Sequence, residues 1–282
     1  MFGNIGQVFW IFMMLVMLQP WLRQRLLVSS RARMMHRIEQ QRGSRLILLV
    51  HRQESISILG LPFYRYIDMD DAEAVIRAIQ LTDPELPIDL VLHTPGGLVL
   101  ASLQIARAVK ARRGKVTVFV PHYAMSGGTL IALAAQEIVM DAHAVLGPVD
   151  PQLGEYPAAS LVKAVKTKSA ADLDDKTLIM ADVAEKALAQ MRAEVSELLS
   201  DRMPPERVKE LTDKLSQGTW THDHPIGLQE AKGLGLPARD EMPQEFYQLM
   251  ALYEQPVRQQ RAVEYIPVPY GPPTRPGGQG KG

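Results

Sequence analysis

His93-Thr94-Pro95-Gly96-Gly97 and Ala124-Met125-Ser126-Gly127-Gly128 are the two stretches that decide the fold of this 282-residue chain. Each follows an apolar run typical of a buried strand, Ile88–Leu92 and Val116–Val120, and each precedes a segment with helical spacing. Two consecutive strand–turn–helix units predict an α/β domain with a mostly parallel sheet and crossover helices. Both glycine-rich turns then lie at the carboxyl edge of that sheet, where such domains place their sites.

Ser126, in the second stretch, is the candidate nucleophile. A serine at a strand-to-helix turn has its hydroxyl at the mouth of the sheet, beside amide N–H groups that the helix leaves unused. A hydroxyl with two converging amide donors is what acyl transfer requires. We therefore expect the amides of Gly96 and Gly127, with Gly97 in the same loop, to form an oxyanion hole. Capping of the following helix is the alternative role of Ser126.

These stretches resemble the ClpP/crotonase superfamily, and most of all the serine dehydrogenase proteinase family, a small membrane-associated group. In that superfamily a loop like Thr94–Gly97 forms the oxyanion hole, and a turn like Met125–Gly128 carries the nucleophile. The resemblance covers roughly residues 45 to 240 and includes Leu146–Gln152 and Glu230–Leu236, the latter similar to a segment of signal peptide peptidase A. It implies a ClpP/crotonase-like serine peptidase that acts on proteins or peptides, forms homo-oligomers, and needs no cofactor or metal.

The general base is harder to assign from the sequence. Clp peptidases carry a histidine soon after the nucleophile, but the matching stretch here, Gly147–Gln152, has none. Signal peptide peptidases use a lysine ahead of a long helix, and the corresponding region predicts Lys168 as the base. The alternatives there are Lys166, Lys163 and Lys176. Such a lysine acts as a base only where burial or a nearby cation lowers its pKa.

His222 is the competing base, in a polar segment that also contains His224. Either Asp150 or Asp223 is expected to orient it, and helix capping by Thr221 or Asp223 is the other role of the segment. Three adjacent loop residues seldom converge on one ion, so the segment does not predict a metal site.

Asp182 and Lys186 are a further candidate pair for the active site. They are four residues apart on the long helix predicted from Asp174 to Leu199. Such pairs usually lie on a helix surface. The pair would polarise the active site only if that helix covers it.

The overall composition excludes several classes of function. The chain has 31 basic and 31 acidic residues, so its net charge of zero gives no electrostatic case for nucleic-acid binding. It has no cysteine, which excludes disulfides, thiolate catalysis and zinc–thiolate sites and suits a cytoplasmic location.

The N-terminal segment predicts a membrane anchor over residues 1–25. The apolar run Val8–Leu18 extends to Ile5–Leu22, and these 18 residues are at the short edge for a spanning helix of about 20. Trp10 and Trp21 suit the membrane interfaces, and arginines follow the run without preceding it, which places the peptidase domain in the cytoplasm. A helix lying on the membrane surface or docked in an oligomer is the alternative.

The remaining segments complete the predicted domain organisation. Residues 26–43 form a basic helical linker, residues 44–254 the peptidase domain, and residues 255–282 a disordered tail rich in proline and glycine. Two other functions stay open on this sequence. One is a catalytically inactive peptidase-like scaffold for a membrane protein assembly, and the other is a crotonase-type acyl-CoA enzyme that uses the same pair of amides.

Overall fold

The computed structural model describes residues 3–51 and 65–253, which are built around one five-stranded parallel sheet. The strands of the described part are β1 (Arg45–Val50), β2 (Ile88–His93), β3 (Val116–Val120), β4 (Tyr123–Ala124), β5 (Glu137–Met140), β6 (Val145–Leu146), β7 (Gln152–Leu153), β8 (Tyr156–Pro157), β9 (Ile226–Gly227) and β10 (Ala238–Arg239). The central sheet has the order β1-β2-β3-β5-β10, and all its pairings are parallel. This confirms the predicted α/β class.

Helices connect these strands and dominate the second half of the chain. They are α1 (Gly3–Arg42), α2 (Met69–Gln80), α3 (Val99–Lys110), α4 (Gly127–Ala134), α5 (Ala158–Thr167), α6 (Asp175–Leu199), α7 (Pro205–Ser216), α8 (Leu228–Gly233) and α9 (Gln244–Ala251). The β7–β8 hairpin precedes α5, and a single 3-10 turn at Ala170–Asp172 joins α5 to α6.

Both faces of the central sheet are covered, which explains the continuous apolar runs of its strands. On β3, Val118 and its neighbours two residues away face a larger core shared with helices α2 to α4 and α6 to α8. Phe119 faces the opposite side, where its ring stacks on Phe246 of α9 with centroids 4.1 Å apart. The same smaller core takes Ile38 from α1. The molecule is therefore a three-layer sandwich with α1 and α9 on one face.

A second, small sheet brings separate parts of the chain to one edge. It has the order β4-β6-β9, in which Ala124 pairs with Leu146 in parallel and Leu146 pairs with Ile226 antiparallel. A bridge between Thr94 and Ala124 joins it to the end of β2. Residues just after β4, just after β6 and just before β9 consequently lie at the same edge of this sheet.

The predicted anchor and the predicted linker are parts of one continuous helix, α1. Its C-terminal end is fixed to the domain by an ion pair of Arg42 with Asp89 and by a bond from Arg31 to the carbonyl of Leu252. Earlier in α1 large apolar side chains are exposed, namely Trp10, Met13, Met14, Val16, Met17, Leu18, Trp21, Leu22, Leu26 and Val28.

The spanning anchor expected over residues 1–25 is not found among the described residues, since none of their helices combines the length and the apolar character needed to cross a membrane. The side chains of residues 1–9 lie outside that description, and so does the predicted tail over 255–282.

Candidate active site

Ser126 occupies a sharp turn between β4 and α4. Its backbone has φ +50° and ψ −114°, a region that residues other than glycine seldom occupy. The turn is held by Met125, whose N–H donates to the carbonyl of Thr94 over 3.0 Å and whose own carbonyl accepts from the N–H of Gly128 over 2.8 Å. Ser126 is the N-cap residue of α4 by position, but its side chain makes no capping hydrogen bond. A strained strand-to-helix turn with an uncommitted hydroxyl is the geometry of an exposed nucleophile.

The glycines around Ser126 leave no room for a side chain. A Cβ atom on Gly96, whose φ is +102°, would lie 2.8 Å from the Cβ of Ser126. One on Gly97 would lie 2.3 Å from the amide nitrogen of Ile67, and one on Gly127 would lie 2.2 Å from the hydroxyl oxygen of Ser102. All three approaches are closer than real Cβ atoms allow. The loop can therefore touch the nucleophile turn only because position 96 is glycine, while Gly97 and Gly127 leave room for Ile67 and Ser102.

The amide of Gly97, rather than that of Gly96, is available beside the nucleophile. The N–H of Gly96 donates to the hydroxyl oxygen of Thr94 over 3.1 Å, so it is already used. The N–H of Gly97 has no acceptor within residues 3–51 and 65–253, and its nitrogen lies 3.4 Å from the Cβ position of Gly127. Gly127 is the first residue of α4, so its N–H has no hydrogen-bond acceptor within the helix. The amide of Gly97 thus lies next to Gly127, the residue that follows the candidate nucleophile.

A cavity of about 660 Å³ lies on the outer side of this loop. Its lining includes Gly97 and Leu98 of the loop and Tyr66, Asp68 and Asp71 from the segment that begins α2.

His222 is held by a buried carboxylate. Its Nδ1 lies 2.8 Å from Oδ1 of Asp150, while the side-chain amide of Gln152 donates to Oδ2 of Asp150 over 2.7 Å. Asp150 is 3% exposed, whereas His222 is partly open to solvent. Asp150 follows β6 and His222 precedes the antiparallel β9, so the small sheet brings both to the edge where Ser126 follows β4. Of the two carboxylates expected to orient His222, the structure pairs it with Asp150.

The neighbouring histidine, His224, is turned to other partners. Its ring stacks on Trp220 with centroids 4.7 Å apart, and its Nε2 lies 3.2 Å from Oε1 of Glu230. Across the part of the chain that the structure describes, no three His, Asp or Glu side chains are grouped so that they could hold a metal ion.

The candidate lysines lie on the surface of the α5–α6 region. Lys163 and Lys166 belong to α5, Lys168 is its C-cap, and Lys176 lies in the first turn of α6. All four side chains are open to solvent to some degree, and Lys166 lies 3.5 Å from Glu185. Burial beside the nucleophile, the condition that a lysine base needs, is not present at any of them in this chain.

Asp182 and Lys186 also form an exposed ion pair, of 2.5 Å, on α6. It is the ordinary surface pair of that spacing.

Comparison with known proteins places the chain among serine proteinases. Residues 1–277 match the family of ClpP-like SDH-type serine proteinases. Two uncharacterized proteins of Methanocaldococcus jannaschii, MJ0137 and MJ1495, are 50% and 49% identical to it over 93% and 95% of this chain and 92% and 91% of their own. The solved structure of a ClpP1 mutant from Listeria monocytogenes aligns with 74% of this chain and 98% of its own, at 16% identity and a TM-score of 0.46.

Proposed function

This chain belongs to the ClpP-like SDH-type serine proteinase family, and from that premise we propose that it cleaves peptide bonds through an acyl-enzyme on Ser126. Membership makes it a serine peptidase, a hydrolase whose substrates are proteins or peptides. The observation that carries the proposal is the strained turn of Ser126, with its uncapped hydroxyl beside the amides of Gly97 and Gly127. Labelling of the serine by a fluorophosphonate tests it, because only an activated hydroxyl reacts.

In the proposed reaction, Oγ of Ser126 forms a bond to the scissile carbonyl carbon while the base takes the hydroxyl proton. The carbonyl oxygen becomes an oxyanion that accepts hydrogen bonds from the N–H groups of Gly97 and Gly127. The C–N bond then breaks, and the base returns the proton to the leaving amine. Water attacks the resulting ester by the same route, releases the acid product and restores Ser126.

We propose His222, oriented by Asp150, as that base. With Nδ1–H donated to the buried carboxylate, Nε2 keeps the lone pair that a proton acceptor requires, and the carboxylate stabilises the imidazolium once it forms. The solvent-exposed surroundings of Lys168 supply no such support. Lys168 stays the competing candidate for the base, followed by Lys166 and Lys163. A histidine base and a lysine base differ in the pH dependence of the rate.

We also propose that the first 25 residues attach the enzyme to a membrane, with the peptidase domain on the cytoplasmic side. The support is the exposed apolar surface of α1, where Trp10 and Met17 are 71% and 75% exposed. Arg25 packs over the ring of Trp21, with its guanidinium carbon 4.8 Å from the ring centroid. Aromatic and basic side chains on one helix suit a membrane interface.

Self-association is the last part of the proposal. Three neighbouring apolar side chains of α6, Leu178, Ile179 and Val183, are exposed, and Ile179 reaches 65%. Burying such side chains against a second copy is favourable at about 25 cal/mol per Å² of apolar surface. Light scattering of the purified chain, compared with an Ile179→Glu variant, tests this proposal by the mass of the particle.

A further inference from the structure

A buried histidine, His51, lies behind the oxyanion loop and takes no part in the proposed chemistry. It follows β1 and is 5% exposed. Its Nε2 lies 3.1 Å from Oδ2 of Asp71 at the start of α2, and its Nδ1 lies 3.0 Å from the hydroxyl oxygen of Thr94, which is fully buried. The imidazole therefore joins α2 to the end of β2, directly below the loop.

The chemistry of these groups fixes the direction of each hydrogen bond. An ionised carboxylate only accepts, so Nε2 of a neutral His51 carries the proton and donates it to Asp71. Its Nδ1 is then an acceptor, and the hydroxyl of Thr94 donates to it over 3.0 Å in preference to the carbonyl of Gly96, which lies 3.4 Å away. The oxygen of Thr94 keeps lone pairs for the N–H of Gly96, 3.1 Å away. A continuous chain runs from Asp71 through His51 and Thr94 to the peptide of Gly96.

Burial supports the neutral form of His51. Burial lowers its pKa below the ordinary 6.5, against the opposing effect of Asp71 and, more weakly, of Asp68, while Arg65 lowers it further. Among the described residues, those three charged groups and the hydroxyl of Thr94 are the groups found to interact with the ring.

Two hydrogen bonds fix the peptides on either side of Gly96. Its N–H donates to Thr94 over 3.1 Å and fixes the preceding peptide, while the following peptide carries the N–H of Gly97, whose nitrogen lies 3.4 Å from the Cβ position of Gly127. The same loop is fixed from the other side by Ile67, whose N–H donates to the carbonyl of Gly96 over 2.8 Å and whose carbonyl accepts from the N–H of Leu98. Ile67 lies just before α2 and Asp71 lies in its first turn, so the segment that begins α2 contacts the loop directly and, through His51, indirectly.

We propose that His51 and Asp71 are positioning residues for the oxyanion hole, acting through the hydroxyl of Thr94. This rests on the proposed function, in which the amide of Gly97 stabilises the transition state. Neither side chain touches the substrate carbonyl. Their effect is to hold Gly96 so that Gly97 meets the oxyanion at a fixed distance.

Replacement of Thr94 tests the connecting hydroxyl. We expect Thr94→Val to lower kcat by about 10²-fold with KM nearly unchanged, which is the cost of displacing a reacting group by about 1 Å. Thr94→Ser keeps the hydroxyl and should restore kcat to within about threefold. Thr82→Val is the matched control, because it also removes a buried hydroxyl, from the end of α2, where that group donates only to the carbonyl of Ala78.

Hydrogen exchange gives a readout that does not depend on activity. The amide of Gly96 should exchange on the order of tenfold faster in Thr94→Val and in His51→Leu than in the starting protein. His51→Gln should resemble the starting protein, since its amide N–H can donate to Asp71 and its carbonyl can accept from Thr94.

The outcomes separate this proposal from the proposed function. Unchanged exchange at Gly96 in both variants overturns the positioning role, whatever the activity. Equal losses of kcat in Thr94→Ser and Thr94→Val would overturn it too, because the hydroxyl would then not matter. Failure of the peptidase assignment has a different signature, namely no labelling of Ser126 in the starting protein.

Discussion

Gly96 packs directly against the nucleophile, so that a Cβ atom placed on it would lie 2.8 Å from the Cβ of Ser126. No real structure keeps two such atoms that close, so the loop after β2 and the turn after β4 approach each other only because one of them has no side chain. The proximity of Gly97 and Gly127 follows from this contact. The catalytic geometry thus depends on a glycine whose own amide is used elsewhere.

Gly96→Ala is therefore expected to reduce kcat by about 10²–10³-fold, the cost of losing one oxyanion donor. Gly154→Ala is the matched control, since Gly154 also has a positive φ, +65°, but open space at its Cβ position. Peptide hydrolysis and thermal unfolding of both variants make the comparison. Similar kcat losses in both would mean that backbone strain alone, and not the contact with Ser126, is responsible.

Replacement of His222 tests the base. If His222 accepts the proton, His222→Ala and Asp150→Asn should each lower kcat/KM by about 10²–10⁴-fold, whereas Lys168→Ala should leave it within about twofold. An inactive Lys168→Ala beside an active His222→Ala would instead assign the base to the lysine.

The central sheet could be predicted from the sequence because its strands are continuous apolar runs. Ile88–His93 and Val116–Val120 are buried along their whole length, and both glycine-rich turns lie at one sheet edge. The sequence did not predict the separate β4-β6-β9 sheet, since strands of two residues have no periodicity to detect, and it did not predict α9.

The site was less predictable than the fold because its contacts join distant segments. The pairing of His222 with Asp150 spans 72 positions of the chain, and His51 meets Thr94 across 43. The hydrogen bond from the N–H of Gly96 to the hydroxyl of Thr94 depends on the direction of the backbone. Two adjacent glycines in a sequence do not show which of their N–H groups makes such a bond. A histidine directly after a buried strand was the available sign of His51.

The ion pair between Glu137 and Arg239 of the edge strand β10 leads us to expect a change in stability at low pH. Burial would raise the pKa of Glu137, but hydrogen bonds and charge from Arg239 on β10 and from Lys115 outweigh it and lower the pKa to about 2. The stabilisation is complete above the ordinary pKa of 4.5 and is lost as the pH falls through about 2.

We expect Glu137→Gln to lower the free energy of unfolding by about 1–2 kcal/mol at pH 7, with the difference disappearing between pH 5 and pH 2. Urea unfolding at several pH values measures it. Glu73→Gln, which breaks an exposed pair with Arg77, is the control and should cost less than about 0.5 kcal/mol. A difference that does not vary with pH would contradict the ion-pair explanation.

Membrane attachment through α1 predicts that the full chain binds anionic lipid vesicles and that a variant lacking residues 1–25 does not. Binding should shift the fluorescence of Trp10 and Trp21 to shorter wavelength as their exposed rings enter the interface. Vesicle flotation of both proteins measures the binding. Trp220 is the tryptophan that remains in the truncated protein, and its fluorescence should not shift. Full-length protein that stays with the soluble fraction would refute attachment and favour contact between copies.

Fluorophosphonate labelling followed by mass spectrometry of the modified peptide is the most direct test of Ser126 as the nucleophile. The reagent should modify the folded protein once, on Ser126, and labelling should disappear together with peptide hydrolysis in Ser126→Ala. The unfolded protein should not react, because the strained turn and the amides of Gly97 and Gly127 exist only in the fold. Labelling of another residue, or hydrolysis by pure Ser126→Ala at the starting rate, would contradict the assignment, and a protein that neither labels nor hydrolyses would be the inactive scaffold.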